Sequence, residues 1–142
     1  MADDCIFCAI VRGEIPSAKV YEDELTYAFL DLNPLTRGHS LVIPKEHHAD
    51  ILDIPKDLMA EVSKAAKLVA AAAKEGLAAD GINLLHASGA AAEQSVFHFH
   101  IHVVPRYADD HIHPFPRPRY REDDPQGTVA SIAKALGGVL DP

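Results

Sequence analysis

The 142-residue chain has no excess of basic charge: 13 lysines and arginines stand against 21 aspartates and glutamates, a formal net charge of −8. Such a surface repels a phosphate backbone, and binders of long DNA or RNA normally carry a basic stripe, so a long nucleic acid is not an expected partner. No run of about 18 apolar residues occurs, which argues against a membrane-spanning helix. Met1-Ala2-Asp3-Asp4 is acidic where a secretory leader would be basic and then apolar. The expected location is therefore the cytoplasm. Cysteine is nearly absent, and two thiols in a reducing compartment do not make a disulfide framework. Internal repeats are missing as well. What is present is an ordinary globular balance, 48% hydrophobic and 24% charged, in a length that suits one domain spanning residues 1–142.

Residues 5–12 read as a short helix that stops at Gly13, with Pro16 forcing a loop. Residues 19–22 and 25–31 are rich in β-branched or aromatic side chains and are separated by Asp23, which predicts a hairpin. The turn Asn33-Pro34-Leu35-Thr36-Arg37-Gly38 leads into a strand at 40–43 that Pro44 ends. Pro55 suits the first turn of a long helix, in which Leu58, Val62, Ala65, Val69, Ala72 and Ala73 recur at helical spacing to about Gly76. Strands at 81–86 and 97–104 follow, joined by a loop of small residues. After a core of about residues 5–107, the segment 108–126 is rich in proline and charge and reads as irregular, before a C-terminal helix at 127–138. About five strands without regular helical crossovers predict an α+β fold: an antiparallel sheet with one long helix and one or two short ones.

His98, His100 and His102 alternate with Phe99, Ile101 and Val103. On a strand the three imidazoles would share one face while the apolar side chains pack into the other. A polar sheet face that happens to be rich in histidine is the plain alternative. Two chemistries suit the row: metal binding, or nucleophilic and acid–base work near neutral pH. All three rings cannot easily converge on one tetrahedral ion, because the outer pair would stand about 13 Å apart at about 3.3 Å per residue. A division of labour is expected instead.

Cys5-Ile6-Phe7-Cys8 has the two-residue gap that lets both thiolates reach one zinc, yet supplies only half a structural site. Distant histidines must complete it, and His47, His48 and His98 are the candidates. Redox work and simple burial are the other uses of such a pair, although a thioredoxin-type motif belongs after a strand rather than at the start of a chain.

The heptapeptide His98-Phe99-His100-Ile101-His102-Val103-Val104 resembles the signature of the histidine-triad (HIT) nucleotide-binding family. Cys5-Ile6-Phe7-Cys8, Gly13-Glu14-Ile15-Pro16, Ala28-Phe29-Leu30-Asp31, the run Gly38-His39-Ser40-Leu41-Val42-Ile43-Pro44-Lys45, and Gln94-Ser95-Val96 resemble its bacterial branch in order and spacing. The resemblance implies a HIT-like fold and a homodimer whose two five-stranded sheets join. Each subunit would bind a purine nucleoside monophosphate moiety and act as a nucleotide hydrolase or nucleotidyl transferase. It implies that His100 attacks the α-phosphorus to form a nucleotidyl-histidine, that His102 contacts phosphate oxygens, and that Ser95 stands near the leaving group. Gln94 would line the phosphate pocket, Asp31 would accept from the ribose hydroxyls, and Ile6, Phe7, Phe29 and Leu32 would enclose the base. Zinc is assigned by the same resemblance to Cys5, Cys8, His47 and His98, with His48 as the alternative.

Two positions depart from that pattern. Relatives usually carry an asparagine where Ala87 stands and a glycine where Glu93 stands, which puts the leaving-group preference in question. His111 and His113 match no part of it. Adenylylated amines and other phosphoramidates are the leading substrate class, with dinucleoside polyphosphates as the sibling. A non-catalytic nucleotide sensor and a hydrolase using a triad-bound catalytic ion are the competing classes.

Overall fold

Local signals decide where each element of the computed structural model begins and ends; it describes residues 3–140. Helix α1 (Ile6–Val11) starts at Cys5, whose Sγ accepts from the Cys8 amide at 3.4 Å, and the chain leaves it through Gly13 at φ +78°. The hairpin of β1 (Lys19–Glu22) and β2 (Thr26–Leu30) turns on Asp23, whose Oδ1 accepts from the amides of Leu25 and Thr26. Strand β3 (Ser40–Pro44) is followed by α2 (Lys56–Gly76), which begins directly after Pro55, then by β4 (Gly81–Leu85) and β5 (Ile101–Arg106). The five strands form one antiparallel sheet in the order β1-β2-β3-β5-β4. The expected α+β fold is present.

This first compact unit ends at Ile112, and a second begins at His113. The second carries α3 (Pro125–Leu140), longer than the 127–138 expected, with none of its residues buried. Among the described residues no helix is long and apolar enough to cross a membrane.

In the first unit the sheet is covered on both faces. Val62, Ala65, Ala66 and Val69 of α2 pack on Ala28, Val42, Phe99, Ile101 and Val103, while Phe7 and Ile10 of α1 pack with Tyr27, Phe29, Leu41 and Ile43 on the opposite side. Each fully buried valine or phenylalanine contributes about 1.5–3 kcal/mol of apolar transfer. Period-two alternation in β2 and β3 sends successive side chains into these two clusters, so both strands are buried almost throughout.

The last strand also differs from its sequence reading. The ladder of the last strand starts at Ile101 and runs to Arg106, so His98 and His100 precede it rather than lie within it. Three backbone groups that a longer ladder would need are spent elsewhere. The Phe99 amide donates to the His48 carbonyl at 2.6 Å, the His98 carbonyl accepts from the His100 ring, and the His100 carbonyl accepts from the His86 ring. The alternation of faces nevertheless survives: Phe99, Ile101 and Val103 enter the cluster beneath α2. On the other face the rings of His98 and His100 stand edge-on to Phe7.

Candidate functional site

On the α1 face of the sheet a cavity of about 240 Å³ opens between α1, the end of β2 and the start of β5. Its apolar wall includes Ile6, Phe7, Phe29 and Leu32, and its polar wall Asp31, Ser95, His100 and His102. Phe7 and Phe29 meet edge to face at 5.4 Å and are almost fully buried, so they serve the core and the cavity floor together. Leu32 is 86% exposed and stands at the rim.

His100 is 5% exposed, and its Nδ1 lies 2.8 Å from the His98 carbonyl oxygen. A carbonyl only accepts, so Nδ1 carries the hydrogen and Nε2 keeps its lone pair. Burial, opposed by that hydrogen bond, holds the His100 pKa below its ordinary 6.5. The ring is thus a neutral base of fixed tautomer in the wall of a concave site.

His102 lies 5.0 Å from His100, ring centre to ring centre, and is ordered by a residue that sequence reasoning noted only inside a longer motif. His39 Nδ1 accepts from the Leu35 amide at 3.0 Å, which places the His39 hydrogen on Nε2, 2.9 Å from His102 Nδ1. His102 Nδ1 is therefore an acceptor, and its Nε2 carries an N–H. Burial, reinforced by repulsion from His100 and His39, lowers the His102 pKa to about 4. Asp31 Oδ2 is 3.5 Å from His39 Nε2 and 4.0 Å from His102 Nδ1, while its Oδ1 accepts from the Asn33 amide. The trio Asp31, His39 and His102 is close enough to suggest a metal site. The Leu35 amide argues against one, since it leaves His39 without a lone pair on Nε2.

Gln94 has work of its own. Its Oε1 accepts from the Gly89 amide at 2.7 Å, and its Nε2 donates to the carbonyls of Ala49 and Val96, so this buried carboxamide braces the loop rather than facing the cavity. Ser95, the next residue, is exposed and lines the cavity. Glu93 adopts φ +69°, ψ 25°, the left-handed region that favours glycine.

Behind α1 the two cysteines meet two histidines. Cys5 Sγ and Cys8 Sγ lie 3.4 and 3.5 Å from His98 Nδ1, Cys8 Sγ lies 3.5 Å from His47 Nδ1, and the two Nδ1 atoms are 3.2 Å apart. Zinc bonds of about 2.3 Å to sulfur and about 2.0–2.1 Å to nitrogen at tetrahedral angles put ligand atoms about 3.3–3.8 Å apart; the sulfur–nitrogen spacings fall in that range and the nitrogen pair lies just under it. His98 Nε2 donates to the Pro44 carbonyl at 2.8 Å, so its Nδ1 lone pair faces the cluster, the second-shell arrangement of a metal-binding histidine. His48 is not part of this group. Its Nε2 is 2.7 Å from Glu46. His98 is thus separated in role from His100: its Nδ1 faces the cysteines and His47, while His100 lines the cavity and His98 does not. No disulfide joins Cys5 and Cys8.

Comparison with known proteins gives a consistent result. The HIT domain profile matches residues 12–109. The crystal structure of a HIT family protein from Bacillus anthracis superposes with a TM-score of 0.88 at 37% identity, covering 98% of this chain and 99% of that one. A zinc-bound histidine triad family protein from Mycobacterium smegmatis superposes at 0.75 with 42% identity, covering 96% and 95%. The adenylylsulfatase HINT3 of Arabidopsis thaliana is 43% identical over 110 residues, which span 78% of this chain and 56% of that protein.

Proposed function

The chain belongs to the HIT domain family, and from that premise we propose that it is a nucleotide hydrolase that cleaves at the α-phosphorus through a nucleotidyl-histidine on His100. One observation carries the proposal: the Nδ1–H of His100 is committed to the His98 carbonyl, which leaves Nε2 unprotonated in a cavity wall lined by polar side chains. Nε2 attacks the α-phosphorus, and an N–P bond forms as the bond to the leaving group breaks. Ser95, by its place on the cavity wall, passes a proton to the departing atom. Water then attacks phosphorus as it gives a proton back to Ser95, the N–P bond breaks, and the nucleoside monophosphate leaves a neutral ring. Covalent catalysis divides one hard displacement into two easier ones.

The neighbours supply charge and position. The Nε2–H of His102, directed by His39, donates to a phosphoryl oxygen as negative charge builds there. Asp31 accepts from the ribose hydroxyls with the carboxylate oxygen that the turn leaves over, and Ile6, Phe7, Phe29 and Leu32 enclose the base. Gln94 acts here as a brace on the loop that carries Ser95, not as a group that meets substrate.

Cys5, Cys8, His47 and His98 would hold a zinc ion, and their spacing supports that part of the proposal. When bound, zinc ties α1 to two segments distant in sequence; no chemical step passes through it. The homodimer belongs to the proposal too. Val129, Ile132, Leu136 and Val139 stand exposed at helical spacing on α3, an apolar stripe that a second copy would cover.

The favoured substrates are phosphoramidates and related adenylylated leaving groups, in keeping with the adenylylsulfatase relative. Turnover of adenosine 5′-phosphoramidate should exceed turnover of diadenosine polyphosphates and should vanish in His100→Ala. No turnover of either class at high protein concentration would overturn the assignment.

A further inference from the structure

His86 closes a chain of hydrogen bonds whose direction is fixed at both ends. The Ile51 amide can only donate, and it meets Ser88 Oγ at 2.9 Å. Ser88 Oγ in turn lies 2.5 Å from His86 Nε2, and His86 Nδ1 lies 2.9 Å from the His100 carbonyl oxygen, which can only accept. Each proton then has one place: Ile51 N–H to Ser88 Oγ, Ser88 O–H to His86 Nε2, His86 Nδ1–H to His100 C=O. The His86 ring also lies on Phe99, centres 4.6 Å apart, which fixes its plane.

The consequence lies in what is being held. β4 ends at Leu85, paired with His102, so the ladder stops one step short of the His100 carbonyl and a side chain takes over where the backbone leaves off. His100 is thereby gripped twice, through its ring by the His98 carbonyl and through its own carbonyl by His86. Ser88 belongs to the segment that Gln94 braces, through Gly89, ahead of Ser95. One network therefore couples the peptide plane of His100 to the loop that carries Ser95.

We propose that His86, oriented by Ser88, is a positioning residue that sets the aim of His100 Nε2 without meeting the substrate. This rests on the reading of His100 as nucleophile. His86 does not line the cavity, so it has no direct part in binding. Its replacement should leave nucleotide affinity alone and slow only the step in which the N–P bond forms. A displacement of a reacting group by about 1 Å can cost on the order of 100-fold, which sets the scale of the expected loss.

The test compares His86→Ala, His86→Gln and Ser88→Ala with the wild-type protein in single turnover on adenosine 5′-phosphoramidate, with AMP affinity measured alongside. His86→Ala is expected to slow adduct formation by about 30- to 100-fold with AMP affinity within about twofold. Gln keeps both a donor and an acceptor, so His86→Gln should recover most of the rate, and Ser88→Ala should fall between. An unchanged rate in His86→Ala would overturn the proposal. So would a loss in which AMP affinity falls in parallel, or which His86→Gln does not relieve. Imidazole ¹⁵N spectra separate this failure from failure of the functional reading. If the wild-type protein forms no adduct, the nucleophile assignment falls. The positioning role then still requires the His100 resonances to shift in His86→Ala and to return in His86→Gln, and their constancy would refute it.

Discussion

A buried imidazole resists protonation because the charged form loses its hydration, and His100 is such a ring. Only the neutral ring is a nucleophile, so activity is lost as pH falls through the lowered pKa, not through the ordinary value. The acid limb of the first-turnover rate, measured by rapid quench on a phosphoramidate, should have its midpoint below the 6.5 of an ordinary imidazole. An acid limb centred at or above 6.5 would contradict this environment for the ring. The same scale shows what a linear sequence conceals. Alternation in residues 98–103 made the two faces legible, apolar side chains beneath α2 and the rings of His98 and His100 against Phe7, because that signal is local. His39 and His86 gave no comparable signal, since each acts on a backbone or ring group brought to it across the sheet, at His102 and at His100.

At the scale of elements, the loop between β4 and β5 carries its own strain. Glu93 occupies a left-handed conformation at φ +69°, where the related pattern has glycine. Glu93→Gly should relieve about 1 kcal/mol of that strain and give back part of it as chain entropy, a net gain of a few tenths to about 1 kcal/mol in denaturant unfolding. A clear loss of stability would mean that the Glu93 side chain contributes more than the backbone costs. Helix α2 and the β1–β2 hairpin were readable from periodicity and from Asp23, because their signals lie within a few residues. The start of β5 was not, since side chains of His86 and His100 and the carbonyl of His48 compete for the backbone groups of residues 98–100. The residue pattern alone left His47 and His48 open, and the family resemblance favoured His47: the adjacent residues point to different partners, and the folded chain brings His47 to the cysteines.

At the scale of the whole molecule, four ligands drawn from residues 5 to 98 make the proposed zinc a clasp on the fold. Metal analysis should find about one zinc per chain, lost in Cys8→Ser and kept in His100→Ala, with thermal stability falling when a chelator removes it. Zinc retained in Cys8→Ser would refute the ligand set. Sedimentation should give twice the 15.4 kDa chain mass, and Ile132→Asp, placed on the exposed stripe of α3, should shift the protein toward monomer. A wild-type monomer at micromolar concentration would exclude the dimer. The most direct measurement concerns the covalent step itself: the protein mixed with excess adenosine 5′-phosphoramidate, quenched within the first turnover and analysed by intact and peptide mass spectrometry. One nucleotidyl group on His100, absent from His100→Ala while that variant still binds AMP, is the expected result. Turnover without any adduct on His100, or an adduct on another residue, would contradict it.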